Sequence, residues 1–220
     1  MAQAHQTRYS FSEKWKKSAG YQIVGTKGID SDTLNWIVRR NGFDSLESMQ
    51  EYLEHFASVL DAGCGNGRIL TLLSELVADD IELYGLDFAV AEIARNNLGH
   101  RVHALYDADL TEKQSLSQVT PVDFNYCQEV LHHTSNPQLA FNNLVVLLLP
   151  NGEIAIYVYK KKAPIREFTD DFVRNQIEGL DSSGAMVHAR QFAELGRVLS
   201  QLKEEIDIPA VSSLEIPAGR

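Results

Sequence analysis

Between residues 58 and 77 an apolar run breaks into a glycine-rich turn and resumes with a different period. Ser58-Val59-Leu60 reads as a short buried strand, and Ile69, Leu72, Leu73, Leu76 and Val77 then fall on one helical face. Between them lies Asp61-Ala62-Gly63-Cys64-Gly65-Asn66-Gly67, with a glycine at every second position. Missing side chains let the backbone turn tightly from strand into helix and approach a ligand closely. A βα turn with no ligand rarely needs all three glycines, so this turn is read as a cradle.

The spacing narrows what the cradle takes. A dinucleotide fingerprint is spaced G-x-G-x-x-G; here the third glycine comes one residue early, and Asp61 precedes the first by two. A carboxylate there would repel a phosphate but suits an ammonium or sulfonium charge, which disfavours a nicotinamide-dependent oxidoreductase. Asp87 closes a second strand 20 residues after Gly67, the usual distance for a carboxylate that accepts hydrogen bonds from ribose hydroxyls. A nucleoside with a cationic tail is implied. Capping of the following helix by Asp87 stays open as a purely structural alternative.

The pattern around the turn repeats. Ile81 to Leu86 reads as the second strand; Val90, Ile93, Ala94 and Leu98 form a helical stripe with Gly99 as its stop. Val102 to Tyr106, Val122 to Cys127 and Glu153 to Tyr159 supply three more strands, and Leu139 to Leu149 is helical in spacing, with Ser135 as its cap and Pro137 near its first turn. Alternation of this kind argues for parallel βαβ units. Upstream, Leu34 to Arg40 reads as a short helix begun near Asp32 and stopped by Asn41-Gly42. Asp44 with Glu47 reads as a capping box before a helix carrying Leu46, Met49, Leu53 and Phe56. Downstream of Lys162, Ile165, Phe168, Phe172 and Ile177 make one helical stripe, and Met186, Phe192, Leu195, Leu199 and Leu202 another. The organisation expected is a helical lead-in over 1–57, a core over 58–160 and a helical segment over 161–220.

Charge and composition remove several function classes. With 30 acidic against 20 basic residues there is no general field to attract a phosphate backbone, so nucleic acid is not the expected partner. The basic run Lys160-Lys161-Lys162 reads as the solvated end of the fifth strand. No apolar run approaches the roughly 20 residues of a bilayer span, and there is no charged-then-apolar leader, so neither a membrane nor a secreted protein is expected. Cys64 and Cys127 cannot build a disulfide framework or a four-thiolate zinc site; no metal site is expected, and a reducing cytoplasmic setting fits. Both cysteines read as packing residues.

Val59-Leu60-Asp61-Ala62-Gly63-Cys64-Gly65-Asn66-Gly67-Arg68 resembles the first motif of the class I S-adenosylmethionine-dependent methyltransferases, and later segments agree in order. Tyr84-Gly85-Leu86-Asp87-Phe88 resembles the ribose-binding motif, and Tyr106-Asp107-Ala108-Asp109-Leu110 the adenine-binding motif. Phe124 to His133 resembles the fourth-strand motif, and Leu147-Leu148-Leu149-Pro150-Asn151-Gly152 the turn before strand five, with Asn151 where a glycine is usual. Asparagine tolerates a left-handed turn nearly as well. The resemblance implies an α/β fold: a Rossmann-like, doubly wound, mostly parallel sheet of strand order 3-2-1-4-5 with helical additions at both ends. It implies S-adenosyl-L-methionine as cofactor and a small molecule as substrate. Carried over by position, Gly63 and Gly65 would line the methionine part and Asp61 would hold its amino group. Asp87 would bind the ribose, with Phe88 against the adenine. Asp107 and the backbone N–H of Ala108 would recognise the adenine edge, and Gln128 would lie beside the methionine moiety. Asp107 and Asp109 as ordinary loop carboxylates remain the alternative.

Methyl transfer from a sulfonium is an in-line displacement for which the protein aligns and desolvates. A base is needed only where the acceptor has a proton to lose. Glu129, His132 and His133 follow strand four at the carboxyl edge of the sheet, where ligands bind in such folds, and they are the candidate catalytic groups. His133 as hydrogen-bonded scaffolding is the competing reading. Tyr9, Phe11 and Trp15 resemble the aromatic lead-in that closes over the cofactor in some members of the family. The usual seven-stranded sheet ends in an antiparallel hairpin, which residues 161 to 220 do not supply; Ile206-Asp207-Ile208 is too short. A truncated chain, the preferred reading, or a helical lid in place of the hairpin would account for this. A cofactor-binding domain without turnover is accordingly the alternative function. The sequence does not set the oligomeric state.

Overall fold

The computed structural model describes residues 2–17, 32–89, 91–98, 101–160 and 164–201. Val90, Gly99, Lys161, Lys162, Leu202, Ile206-Asp207-Ile208 and the C-terminal stretch from Leu214 lie outside them. Two compact units divide the chain, Met1–Val158 and Tyr159–Arg220.

The first unit is built on five strands, β1 (Ser58–Ala62), β2 (Glu82–Asp87), β3 (Ala104–Asp107), β4 (Val122–Gln128) and β5 (Leu148–Tyr157). They form one sheet in the order β3-β2-β1-β4-β5, and every neighbouring pair is parallel. This is the Rossmann-like arrangement expected. Strand order reverses at β1, so the crevice between the carboxyl ends of β1 and β4 is where a ligand belongs in such a sheet.

Side chains alternate across the sheet and feed a core on each side. Val59, Leu83, Phe124 and Tyr126 pack with Leu72, Leu73 and Leu76 of α4 (Arg68–Leu76) and with Met49 and Leu53 of α3 (Leu46–Leu53). Leu60, Tyr84, Leu86 and Cys127 pack with Ala140 and Leu144 of α6 (Pro137–Val146) on the other. Val122 and Phe124 share a parity yet feed opposite cores, because the β4–β5 register shifts between them. The remaining helices are α1 (Ala2–Lys17), α2 (Asp32–Arg40) and α5 (Ala91–Leu98). Cys64 and Cys127 are buried in the cores.

Several boundaries differ from expectation. The capping box of α3 uses Ser45 and Ser48, one residue beyond Asp44 and Glu47, because the two hydroxyls reciprocally satisfy each other's backbone N–H. Asn136, not Ser135, caps α6 through the Leu139 N–H at 3.0 Å. That helix stops at Val146, and Leu148 and Leu149 instead open β5, which starts before the Pro150-Asn151-Gly152 turn rather than at Glu153. Asn151 has φ 66°, the left-handed geometry expected there. β3 starts two residues later than Val102.

The second unit contains α7 (Pro164–Ile177) and α8 (Ser182–Leu199). Asp181 caps α8 through the Gly184 N–H at 2.7 Å, and Phe172 meets Phe192 edge-on at 6.1 Å.

Candidate functional site

β1 ends in the glycine turn. Gly63 has φ 87° and Gly65 φ 54°, values that a Cβ disfavours. A methyl at Gly63 would also meet Val130 Cγ2 at 2.2 Å. The turn is pinned to β2, since Gly63 N–H and Cys64 N–H both donate to the Leu86 carbonyl, at 2.7 and 3.0 Å, and Gly65 N–H donates to Asp87 Oδ2 at 3.0 Å. Asp87 Oδ1 accepts from Ala89 N–H at 2.9 Å. Asp87 therefore braces the cradle and the entry to α5 together. It is buried at the carboxyl end of β2, in register with Asp107 on β3.

Asp61 is 3% exposed, and its Oδ2 has no hydrogen-bond partner. Burial, and then the charge of nearby Asp87, push its carboxyl up to about 8 against the partial opposition of Arg68. A buried acceptor left unmatched costs about 1–3 kcal/mol, so the chain carries an unanswered carboxyl beneath its glycine cradle. A cation arriving there would ionise it.

The other expected cofactor residues line the same edge. Phe88 is half-buried directly after β2. Asp107 is exposed at the end of β3, and Ala108 is buried. The Ala108 N–H donates to the Asp87 carbonyl at 3.2 Å, so this donor is used within the chain. Asp109 Oδ1 accepts from both Thr111 N–H and its hydroxyl, at 2.8 and 2.7 Å, a local turn. Gln128 closes β4 and its Oε1 accepts from Arg40 Nη2 at 2.9 Å.

The candidate catalytic groups sit on the segment after β4. Glu129 has φ 61°, a left-handed backbone in a non-glycine residue, which costs about 1–3 kcal/mol. Its N–H donates to the Tyr157 carbonyl at 2.9 Å, and its Oε1 accepts from Arg40 Nη1 at 2.7 Å. The carboxylate is thereby turned toward the guanidinium. The rings of His132 and His133 lie 4.2 Å apart and are tilted by 52° on a short 3-10 turn. Burial lowers the His132 imidazole against the pull of Glu129. The same desolvation, reinforced by His132 and Lys14, lowers His133. Both rings are therefore neutral at neutral pH and able to accept a proton.

The aromatic lead-in is the helix α1. Trp15 lies over the cradle, its Cζ2 3.1 Å from where a Gly65 methyl would sit, and Phe11 meets His133 edge-on at 5.1 Å. Lys14 Nζ stands 4.6 Å from the Trp15 ring centroid.

The sequence reading missed Arg40, Trp36 and Tyr157. Arg40 is flanked by the rings of Trp36 and Tyr157, at 4.1 and 4.2 Å, while it bonds Glu129 and Gln128. A cavity of about 600 Å³ beside it is lined by Asp32, Asn35, Trp36, Arg39, Arg40 and Tyr157. The signal was present: the five α2 residues fall at i, i+3, i+4, i+7 and i+8, one helical face, opposite the buried Leu34, Ile37 and Val38. Among the described residues no group of three or more His, Cys, Asp or Glu could hold a metal, and no helix is long and apolar enough to cross a membrane.

A five-stranded parallel sheet in this order, with a glycine cradle after β1 and acids near the carboxyl ends of β1 to β3, defines a Rossmann-like methyltransferase fold. Residues 54–204 match a family described as a methyltransferase domain, and the chain belongs to that family. Its cofactor is S-adenosyl-L-methionine. An uncharacterized protein of Synechococcus sp. is 31% identical over 126 residues, 51% of this chain and 28% of that one. The chain thus spans just over a quarter of this curated relative's length. Among solved structures, the plantazolicin methyltransferase BpumL, in complex with a desmethyl-plantazolicin analogue and SAH, superposes with a TM-score of 0.52 at 17% identity. That match covers 92% of this chain and 76% of BpumL, and it bears on the fold. The N-methyltransferase NodS from Bradyrhizobium japonicum, in complex with S-adenosyl-L-homocysteine, gives 0.45 at 17% identity over 63% of this chain and 72% of NodS. The residues present fit the cofactor: an unmatched buried carboxyl for an ammonium, a left-handed glycine turn beside it, and an acid on the next strand.

Proposed function

We propose that the chain transfers the methyl group of S-adenosyl-L-methionine to a small-molecule acceptor by in-line displacement. The observation that carries this reading is Asp61, buried without a partner for Oδ2 beneath a glycine turn at the strand-order reversal. Such a group has a role once an ammonium answers it. The cofactor supplies an already activated methyl on sulfonium, so no covalent enzyme intermediate is required.

The chain's own residues then have three tasks. Asp61, Gly63 and Gly65 hold the methionine end with Gln128 beside it, and Asp87 takes the ribose. Phe88, Asp107 and Ala108 serve the adenine; Ala108 does so by exchanging its bond to the Asp87 carbonyl for one to the ring. Trp15 and Phe11 on α1 exclude water over the cradle and His133. His132, kept neutral by burial, receives the proton of an acceptor that has one to lose, with the tilted His133 ring packed against it. Glu129 serves the loop's geometry through Arg40 more than proton transfer, because its Oε1 is engaged by the guanidinium.

Calorimetric titration with S-adenosylmethionine, S-adenosylhomocysteine and NAD, followed by turnover against an acceptor panel, tests the reading. Binding of the first two and methylation of an acceptor is the expected outcome. Binding without any turnover would leave a cofactor-binding domain, and failure of both to bind would sink the proposal.

A further inference from the structure

We infer that the cavity on the polar face of α2 holds the acceptor, and that the acceptor is a flat molecule bearing an oxyanion, a carboxylate or a phosphate, held by Arg39 and the Nε edge of Arg40. This rests on the methyl-transfer reading above and names the substrate class of that site.

The position comes from Arg40. Its Nη1 and Nη2 reach Glu129 and Gln128 at the carboxyl end of β4, so the cavity it lines opens at the edge where the sheet binds ligands. The volume of about 600 Å³ falls within the range of about 300–1,000 Å³ that small-molecule pockets occupy.

The charge comes from what remains unanswered on that wall. The Arg40 side chain is only 8% exposed, and its Nε is buried with no hydrogen-bond partner. A guanidinium N–H left so is costly, a cost that an acceptor atom from outside the chain would relieve once Trp36 and Tyr157 part enough to admit it. The charge of Arg40 itself is balanced by Glu129. Arg39 lines the same cavity, exposed and with no ion pair among the described residues. Asp32, the one acid in the lining, lies seven residues back, about 10 Å along the helix axis, which leaves the arginine end positive. The exposed Arg39 guanidinium suits the paired oxygens of a carboxylate or phosphate.

The shape comes from the rings. Trp36 is 48% exposed on the cavity face, offering a flat apolar surface to a planar partner. The slot between Trp36 and Tyr157 is filled by the chain's own guanidinium. A cationic acceptor would have to displace it.

Binding to the full chain saturated with S-adenosylhomocysteine tests this, with benzoate, phenyl phosphate and the neutral benzamide as probes, read by calorimetry and ligand-observed NMR. At least one anion is expected to bind about tenfold more tightly than benzamide, to weaken with added salt, and to lose about tenfold in Arg39→Gln. The better of the two anions identifies the carboxylate or the phosphate source. Benzamide binding as well as the anions, no binding of either anion, or an Arg39→Gln variant that binds them unchanged would overturn the inference while homocysteine-product binding stands. Failure of the product nucleoside to bind would overturn the reading beneath it instead. Arg39 is exposed, and a thermal melt matching wild type controls for folding.

Discussion

Cofactor binding should release a proton, and Asp61 sets how much. Its carboxyl, held at about 8 by burial and by Asp87, is about nine-tenths protonated at pH 7, and the α-ammonium of S-adenosylhomocysteine, beside its own carboxylate rather than a peptide carbonyl, is fully protonated there. The ion pair they form carries one proton in place of nearly two. Binding of S-adenosylhomocysteine should therefore release about 0.9 proton at pH 7 and close to one at pH 6, with affinity greatest above pH 8. Below pH 7 affinity should fall about tenfold, or about 1.4 kcal/mol, per pH unit. Titration calorimetry in buffers of different ionisation enthalpy measures the release directly, and Asp61→Asn should abolish it together with the acid-side loss of affinity. Without ligand the linkage runs the other way. A folded pKa raised above the unfolded value of 3.8 gives stability that is full below 3.8 and declines as pH rises toward 8. The melting temperature of wild type should drop across that window relative to Asp61→Asn. Observed enthalpies independent of buffer at pH 7 would show that Asp61 is already ionised or does not meet the amine, and would refute its role in the cradle.

Three further outcomes follow from the geometry. Gly63→Ala places a methyl 2.2 Å from Val130 Cγ2 at φ 87° and should weaken S-adenosylhomocysteine binding by more than about tenfold; Val130→Ala added to it should recover only part, because the backbone strain remains. Asp87→Ala removes the brace to Gly65 as well as the acceptor for ribose, and should cost about 1–3 kcal/mol of cofactor affinity, measured by the same calorimetry. For an acceptor with a dissociable proton, kcat/KM for that acceptor, measured with S-adenosylmethionine saturating at every pH so that Asp61 adds no limb, should fall only below the ordinary histidine range, since both imidazoles are lowered. His132→Asn should remove that acid limb, and a limb left intact would exclude His132 as the base.

The cofactor half of the site was legible because its chemistry is local. A strand, a glycine turn and an acid at the next strand end are contiguous signals, and parallel βαβ pairing then places Asp61, Asp87 and Asp107 on one edge without long-range information. What escaped was set by contacts distant in sequence. Arg40 meets Glu129 across 89 residues, and no spacing rule couples a residue on a short leading helix to the end of β4. The helix itself is expected from its start near Asp32 and its stop at Asn41-Gly42, signals that carry nothing about what its polar face meets. Cap positions slipped by one where a run such as Asp44-Ser45 or Ser135-Asn136 offers two competent side chains. Local geometry, not residue type, chooses between them.

Arg40 is where the two halves of the site meet, and its variants separate charge from packing. Arg40→Met keeps an unbranched stem between Trp36 and Tyr157 but leaves the Glu129 carboxylate without its partner while the backbone stays at φ 61°. Breaking a buried pair from one side costs about 3–5 kcal/mol. With the Glu129 side chain 33% exposed, solvent screens part of the lost interaction, and about 2–3 kcal/mol is expected. Glu129→Gly in the same background removes both the orphaned charge and the left-handed strain, which alone is worth about 1 kcal/mol or more. The double variant should therefore be more stable than Arg40→Met, a reversal of the usual additivity of damaging changes. Chemical denaturation of the four proteins of the cycle measures it. If the double variant is the less stable, the guanidinium matters for its packing between the rings, and the Glu129 backbone is held by the Tyr157 carbonyl without help from Arg40.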